Sequence, residues 1–189
     1  MLNQTEIKSK NILEFGDITG LVNKTISSLE WDKLQSSFNN AKTIILVGHG
    51  GNLAIADHIA VDITRLTNFE KSTICPGSAI VATSHINDAG FSDWMTKWLK
   101  SLIKSINISE TLLIGISSSG RSRDISELFK EAKIQNLETA LITAKPSDQI
   151  KSDIQVITEA KSYHSSEIVA LALGYQLVHG FGYNCPNIL

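Results

Sequence analysis

His58 and Asp62 stand four residues apart in "DHIAVD", which puts an imidazole and a carboxylate on one face of a helix. Such a pair can serve as general base and acid. The same spacing also fits a surface His/Asp pair, or an Asp62 that pairs with Arg65 one turn on. Further along, "SSSGRS" offers a different chemistry. Ser117, Ser118, Ser119 and Ser122 gather hydroxyl donors around a glycine turn that opens a helix, whose free N–H groups and dipole favour an anion. One phosphate monoester fits there without a metal. Arg121 and Arg123 add positive charge and Asp124 opposes it. The plainer alternative has Ser122 capping the helix while the other serines satisfy turn backbone.

The glycine run "GHGGNL", just ahead of the His/Asp pair, begins as G-x-G but lacks the third glycine of a dinucleotide fingerprint. Neither loop has the lysine and hydroxyl of G-x-x-x-x-G-K-[ST], which argues against a triphosphate.

Regular elements must hold these loops. "TIILV" is a short β-branched run without alternation, as expected of a parallel strand buried on both faces, and it stops at Gly48. A helix spanning about Asn52 to Leu66 follows, with Ile55, Ile59 and Ile63 as its apolar spine. "TLLIGI" at 111 to 116, the serine loop and a helix carrying Ile125, Leu128 and Phe129 repeat the arrangement. "TALIT" and "IQVIT" read as further strands, and "STIC" and "AIVAT" as strand candidates between the two units. "WMTKWLKSLIK" has an amphipathic helical pattern, two helices precede the first strand, and the last helix spans about Ser165 to His179. Strands alternating with helices predict a doubly wound, mainly parallel three-layer α/β/α sandwich, with ligands at the carboxyl ends of the strands.

At 189 residues, with no repeat or linker, the chain predicts one domain, its first 40 residues a helical segment packed on the rest. A formal charge of −2 and a pI near 6.2 offer no general attraction for nucleic acid or an anionic membrane, so an anion must be bound locally. Cys75 and Cys185 lie far apart, outside any zinc or disulfide pattern. "MLNQTEIKSKNILEF" lacks the apolar stretch of an export signal, and a cytoplasmic protein is expected.

"GHGGNLAIADHIAVDI", "NDAGFSD" and "GISSSGRS" together make the region from about Thr43 to Thr143 resemble the sugar isomerase (SIS) domain, specifically the phosphoheptose isomerase group. The resemblance implies that Ser117, Ser118, Ser119 and Ser122 clasp a sugar phosphate, that Gly50 and Gly51 admit it, and that Asp88 binds the sugar. The family's first loop reads G-N-G-G-S, where this chain has His49 and Asn52 at the donor positions. Asp62 falls on the family's catalytic glutamate, one methylene shorter, and His58 on its histidine.

The family also carries a Gln and, eight residues later, a His on the last helix, as proton shuttle and in some members as metal ligands. Ser166 and Gly174 fall at those places, so both groups are missing; His164 is the nearest substitute, with His179 and His85 as others. With only His58 and Asp62 matched, an obligatory zinc, which needs three protein ligands, is not expected. The reaction implied is the isomerisation of sedoheptulose 7-phosphate to D-glycero-D-manno-heptose 7-phosphate in a homotetramer with sites at subunit interfaces. The alternative is a non-catalytic SIS module that binds a sugar phosphate or a protein partner such as a replication initiator.

Overall fold

A computed structural model describes residues 15 to 188. All but the last residue of the stretch read for an export signal lies outside them. Five strands form one parallel sheet in the order β2-β1-β3-β4-β5: β1 Thr43–Gly48, β2 Ser72–Ile74, β3 Thr111–Ile116, β4 Glu138–Thr143 and β5 Ile154–Ile157. β1 and β3 pair in register from Thr43 on Thr111 to Gly48 on Ile116, so the two loops leave the sheet side by side. In a doubly wound sheet this is the point where strand order reverses and a crevice opens.

The period of two along each central strand divides the core. Ile44 and Leu46 of β1, with Leu112, Ile114 and Ile116 of β3, face α1 Ile18–Ile26, α2 Leu29–Asn40, α3 Gly51–Leu66 and α7 Tyr163–Gly180. Ile45, Val47 and Leu113 face the opposite layer, α4 Ala79–Ala89, α5 Trp94–Leu102 and α6 Arg123–Ile134. Ser28 caps α2 by accepting from Trp31 N at 3.2 Å, and Ser162 and Ser165 form a reciprocal cap at the start of α7, each bond 3.1 Å.

"AIVAT" is a helix and not a strand: it forms the first half of α4. A short apolar run has no periodicity of its own to separate the two. Here Ala82 and Ile86, one helical turn apart, pack into the lower core, while Ile80 stays exposed and Thr83 Oγ1 donates back to Ala79 O at 2.6 Å. The strand after "FEK" is real but short, ending at Ile74.

One buried cation stitches the far end of the fold. Lys71, 2% exposed, donates from Nζ to Ala41 O at 2.7 Å and Asn39 O at 3.2 Å, and lies 3.9 Å from the centroid of the Phe181 ring.

Candidate functional site

The serine loop is held open by its backbone. Ser117 N donates to Ile142 O at 3.0 Å, and Ser147 Oγ donates to Gly120 O at 2.6 Å. Gly120 sits at φ +64, where an added Cβ would also lie 2.7 Å from the Ser147 side chain, so the turn requires glycine. Ser122 does not cap α6: its hydroxyl lies 3.1 Å from that of Ser117, and no side chain caps this helix. Of the first-turn N–H groups of α6, that of Ile125 is taken by the Asp124 carboxylate at 3.0 Å. Ser118 is buried and tied to the first loop, accepting from Asn52 Nδ2 at 3.2 Å. Ser118 and Ser119 line a cleft of about 240 Å³ with Lys145, Lys161, Ser162 and Tyr163. Lys145 and Lys161 thus bring two basic side chains to the cleft beside the serines. Neither lysine carried a signal in the sequence, because they come from the β4 and β5 loops.

The glycine loop turns at Gly50, whose φ +58 and ψ −126 are open to glycine and to few other residues, and α3 starts directly after it. His49, in this loop, reaches across the crevice with Nδ1 3.2 Å from Asp124 Oδ2 and packs edge-on against Phe91 of "NDAGFSD". Asp124 is 1% exposed and also accepts from Trp94 Nε1 at 3.3 Å and Ile125 N at 3.0 Å. The Glu167 side chain lies over Gly51, where an added Cβ would clash with its carboxylate.

His58 and Asp62 do share one face of α3, with His58 Nε2 3.3 Å from Asp62 Oδ2. The last helix also reaches this pair. Tyr175, one residue after Gly174, donates from its hydroxyl to Asp62 Oδ2 at 3.0 Å, and its oxygen lies 3.0 Å from His58 Nε2. Arg65 NH2 donates to the other carboxylate oxygen at 2.9 Å, so the Asp62–Arg65 pairing is present too. Burial works to raise the Asp62 carboxyl, but the hydrogen bonds from Arg65 and Tyr175, with the charges of His58 and Arg65, hold it below the ordinary aspartate value. Burial, followed by the bond to Asp62, raises the Tyr175 phenol, which keeps its proton as a donor.

Gly174 itself is packed against α3: a Cβ there would lie 2.7 to 2.9 Å from Ile59 side-chain atoms. Ser166 is buried in the first turns of α7. His58, Glu167, Gly51 and Leu171 border a groove of about 320 Å³ between α3 and α7. Asp62 lies ten residues beyond Asn52, about 15 Å along the axis of α3, and His58 about 9 Å.

The remaining candidates are more scattered. His164 is exposed in the first turn of α7, next in sequence to the cleft-lining Tyr163. Asp88 is exposed near the end of α4, accepting from Asn87 at 3.2 Å. His179, exposed at the far end of α7, contacts Asn184; His85 lies on α4. Among the described residues no three His, Cys, Asp or Glu side chains gather as a metal set. No helix among the described residues is long and apolar enough to cross a membrane.

Comparison with known proteins bears out the resemblance. No family model matches the chain. It is 29% identical over 126 residues to the phosphoheptose isomerase of Thermodesulfovibrio yellowstonii, covering 64% of this chain and 60% of that one. It is 26% identical over 148 residues to that of Campylobacter concisus, covering 76% and 73%. The match to the first of these thus spans less than two thirds of the relative's own length. The fold is that of phosphoheptose isomerase GmhA from Neisseria gonorrhoeae, with a TM-score of 0.74 at 18% identity over 87% of this chain and 90% of that one. A phosphoheptose isomerase from Francisella tularensis superposes with a TM-score of 0.70 at 16% identity, covering 86% and 91%.

Proposed function

We propose that the protein is an aldose–ketose isomerase of phosphorylated sugars, acting on sedoheptulose 7-phosphate to give D-glycero-D-manno-heptose 7-phosphate. One observation carries this reading: Asn52 in the first turn of α3 donates to Ser118 of the serine loop, and the same helix carries His58 and Asp62 about 9 and 15 Å further along its axis, where Tyr175 joins them. An extended sugar phosphate anchored at one end presents its carbonyl end to the other.

The chemistry follows from the donors present. Asp62 removes a proton from C1 of the ketose while the carbonyl oxygen at C2 gains one, giving an enediol. Loss of the O1 proton and return of the carbon proton to C2 complete the aldose. A carboxylate held below its ordinary pKa is a weak base, so stabilising the developing enediolate matters more than base strength. Tyr175 and His58 are the hydroxyl and imidazole placed to serve the oxygens. No metal enters this reading.

The similarity to enzymes named phosphoheptose isomerase supports catalysis over a binding module. A homotetramer accords with exposed apolar residues on α3 and α7, Val61 at 63% and Ile168 at 38%; light scattering would measure it. A cytoplasmic location remains part of the proposal. The decisive test incubates the protein with sedoheptulose 7-phosphate in deuterium oxide. Aldose phosphate and deuterium on carbon are expected, and the absence of both across a panel of ketose phosphates overturns the reading.

A further inference from the structure

Asp124 presents a difficulty for any phosphate at the serine loop. Its carboxylate is buried in the first turn of α6, the turn whose N–H groups would meet the anion, and three donors hold it as an acceptor. Two like charges at close range repel, the more so where one of them is buried. The only one of those donors that can carry a compensating charge is His49: Phe91 and Trp94, which flank the pair from the other side, are uncharged. The Nδ1 of His49 faces Asp124, no described residue bonds Nε2, and the ring is half-exposed at the level of Ser117, since Gly48 pairs with Ile116.

We propose that His49 and Asp124 form a counter-charge pair within the phosphate subsite. As an imidazolium, His49 gives Nδ1–H to Asp124 and Nε2–H to the phosphate ester, cancelling the buried carboxylate and adding a charge-assisted hydrogen bond. The asparagine that the family carries at position 49 supplies a donor but no charge, so in this chain it would leave Asp124 facing the phosphate. His49 and Asp124 therefore act as one unit that removes the carboxylate's repulsion from the serine loop.

This inference rests on the reading of the serine loop as a phosphate anchor, and calorimetric titration with sedoheptulose 7-phosphate separates the two. His49→Asn should weaken binding roughly 10- to 100-fold, and His49→Asn with Asp124→Asn should recover to within about threefold of wild type. His49→Lys, which keeps a cation, should also stay within about threefold, and it decides the matter if the Asp124 variants do not fold. Unchanged affinity in His49→Asn overturns the pair. So does a double variant, or a His49→Lys protein, as weak as His49→Asn. A wild-type protein that binds no sugar phosphate overturns the phosphosugar reading itself, and this inference with it.

Discussion

The Tyr175 hydroxyl donates to Asp62 Oδ2 over 3.0 Å, so α7 reaches the His58–Asp62 pair of α3 by the residue next to Gly174. The oxygen of the same hydroxyl lies 3.0 Å from His58 Nε2, which lets one phenol join imidazole and carboxylate in a single chain of hydrogen bonds.

Removing that hydroxyl should damage turnover more than binding. Tyr175→Phe is expected to lower kcat roughly 100-fold with KM little changed, because the phenol acts on the oxygens of the enediolate and not on the phosphate. Steady-state kinetics with sedoheptulose 7-phosphate checks it; a variant with wild-type kcat would remove Tyr175 from the mechanism.

The Asp62 carboxylate should leave a signature in acid. Its folded-state pKa is depressed below the ordinary 3.8, so the stability it contributes is fully present above that value and is lost as pH falls through the folded pKa. Wild type should exceed Asp62→Asn by about 1 to 3 kcal/mol near neutrality, with the gap narrowing below about pH 4. Urea unfolding across that range reads the difference, and a gap that does not shrink in acid would contradict the assignment.

Restoring the family histidine should fail on steric grounds. Gly174→His pushes atoms into the Ile59 side chain, which already lies 2.7 to 2.9 Å from a Cβ at that position. The single variant is expected to lose about 1 to 3 kcal/mol or more, and Ile59→Ala in the same chain to return part of it. Thermal melting of the three variants decides; additive losses would mean the two positions do not share space.

The thiols should differ sharply. Burial, with the nearby Asp57 carboxylate, pushes Cys75 up to about 12, whereas Cys185 is exposed. At pH 8, iodoacetamide should label Cys185 alone in the folded protein and both thiols in urea, as read by peptide mass. Labelling of native Cys75 at the rate of Cys185 would refute this.

The central strands and the loops that leave them were legible because their patterns are local. Beyond their leading threonines, "TIILV" and "TLLIGI" have no polar positions to place on a solvent face, which is how a strand covered on both sides spells itself. The serines of 117 to 122 declare themselves by density, and His58 and Asp62 by spacing. What escaped depends on distant chain. Lys145 and Lys161 reach the serine loop from two other loops, and Tyr175 becomes a partner of Asp62 only because Gly174 lets α7 approach α3 closely. The His49–Asp124 contact spans 75 positions and crosses the sheet's switch point. The strand expected at "AIVAT" erred for the opposite reason: composition was local, but the face it buries is chosen by α5 and the lower core.

Lys71 bonds neither the His58–Asp62–Tyr175 cluster nor the serine loop, yet it bears on the alignment of the helix that joins them. With water replaced by two carbonyls of the α2 terminus and the ring of Phe181, its ammonium clamps the foot of α7 to the edge of the sheet. The other end of that helix carries Ser162, Tyr163 and Glu167 to the two loops, and its middle carries Tyr175. The register between phenol and carboxylate is therefore set from below. Exchanging the Lys71 cation for an apolar chain would slacken the geometry of a site it never touches.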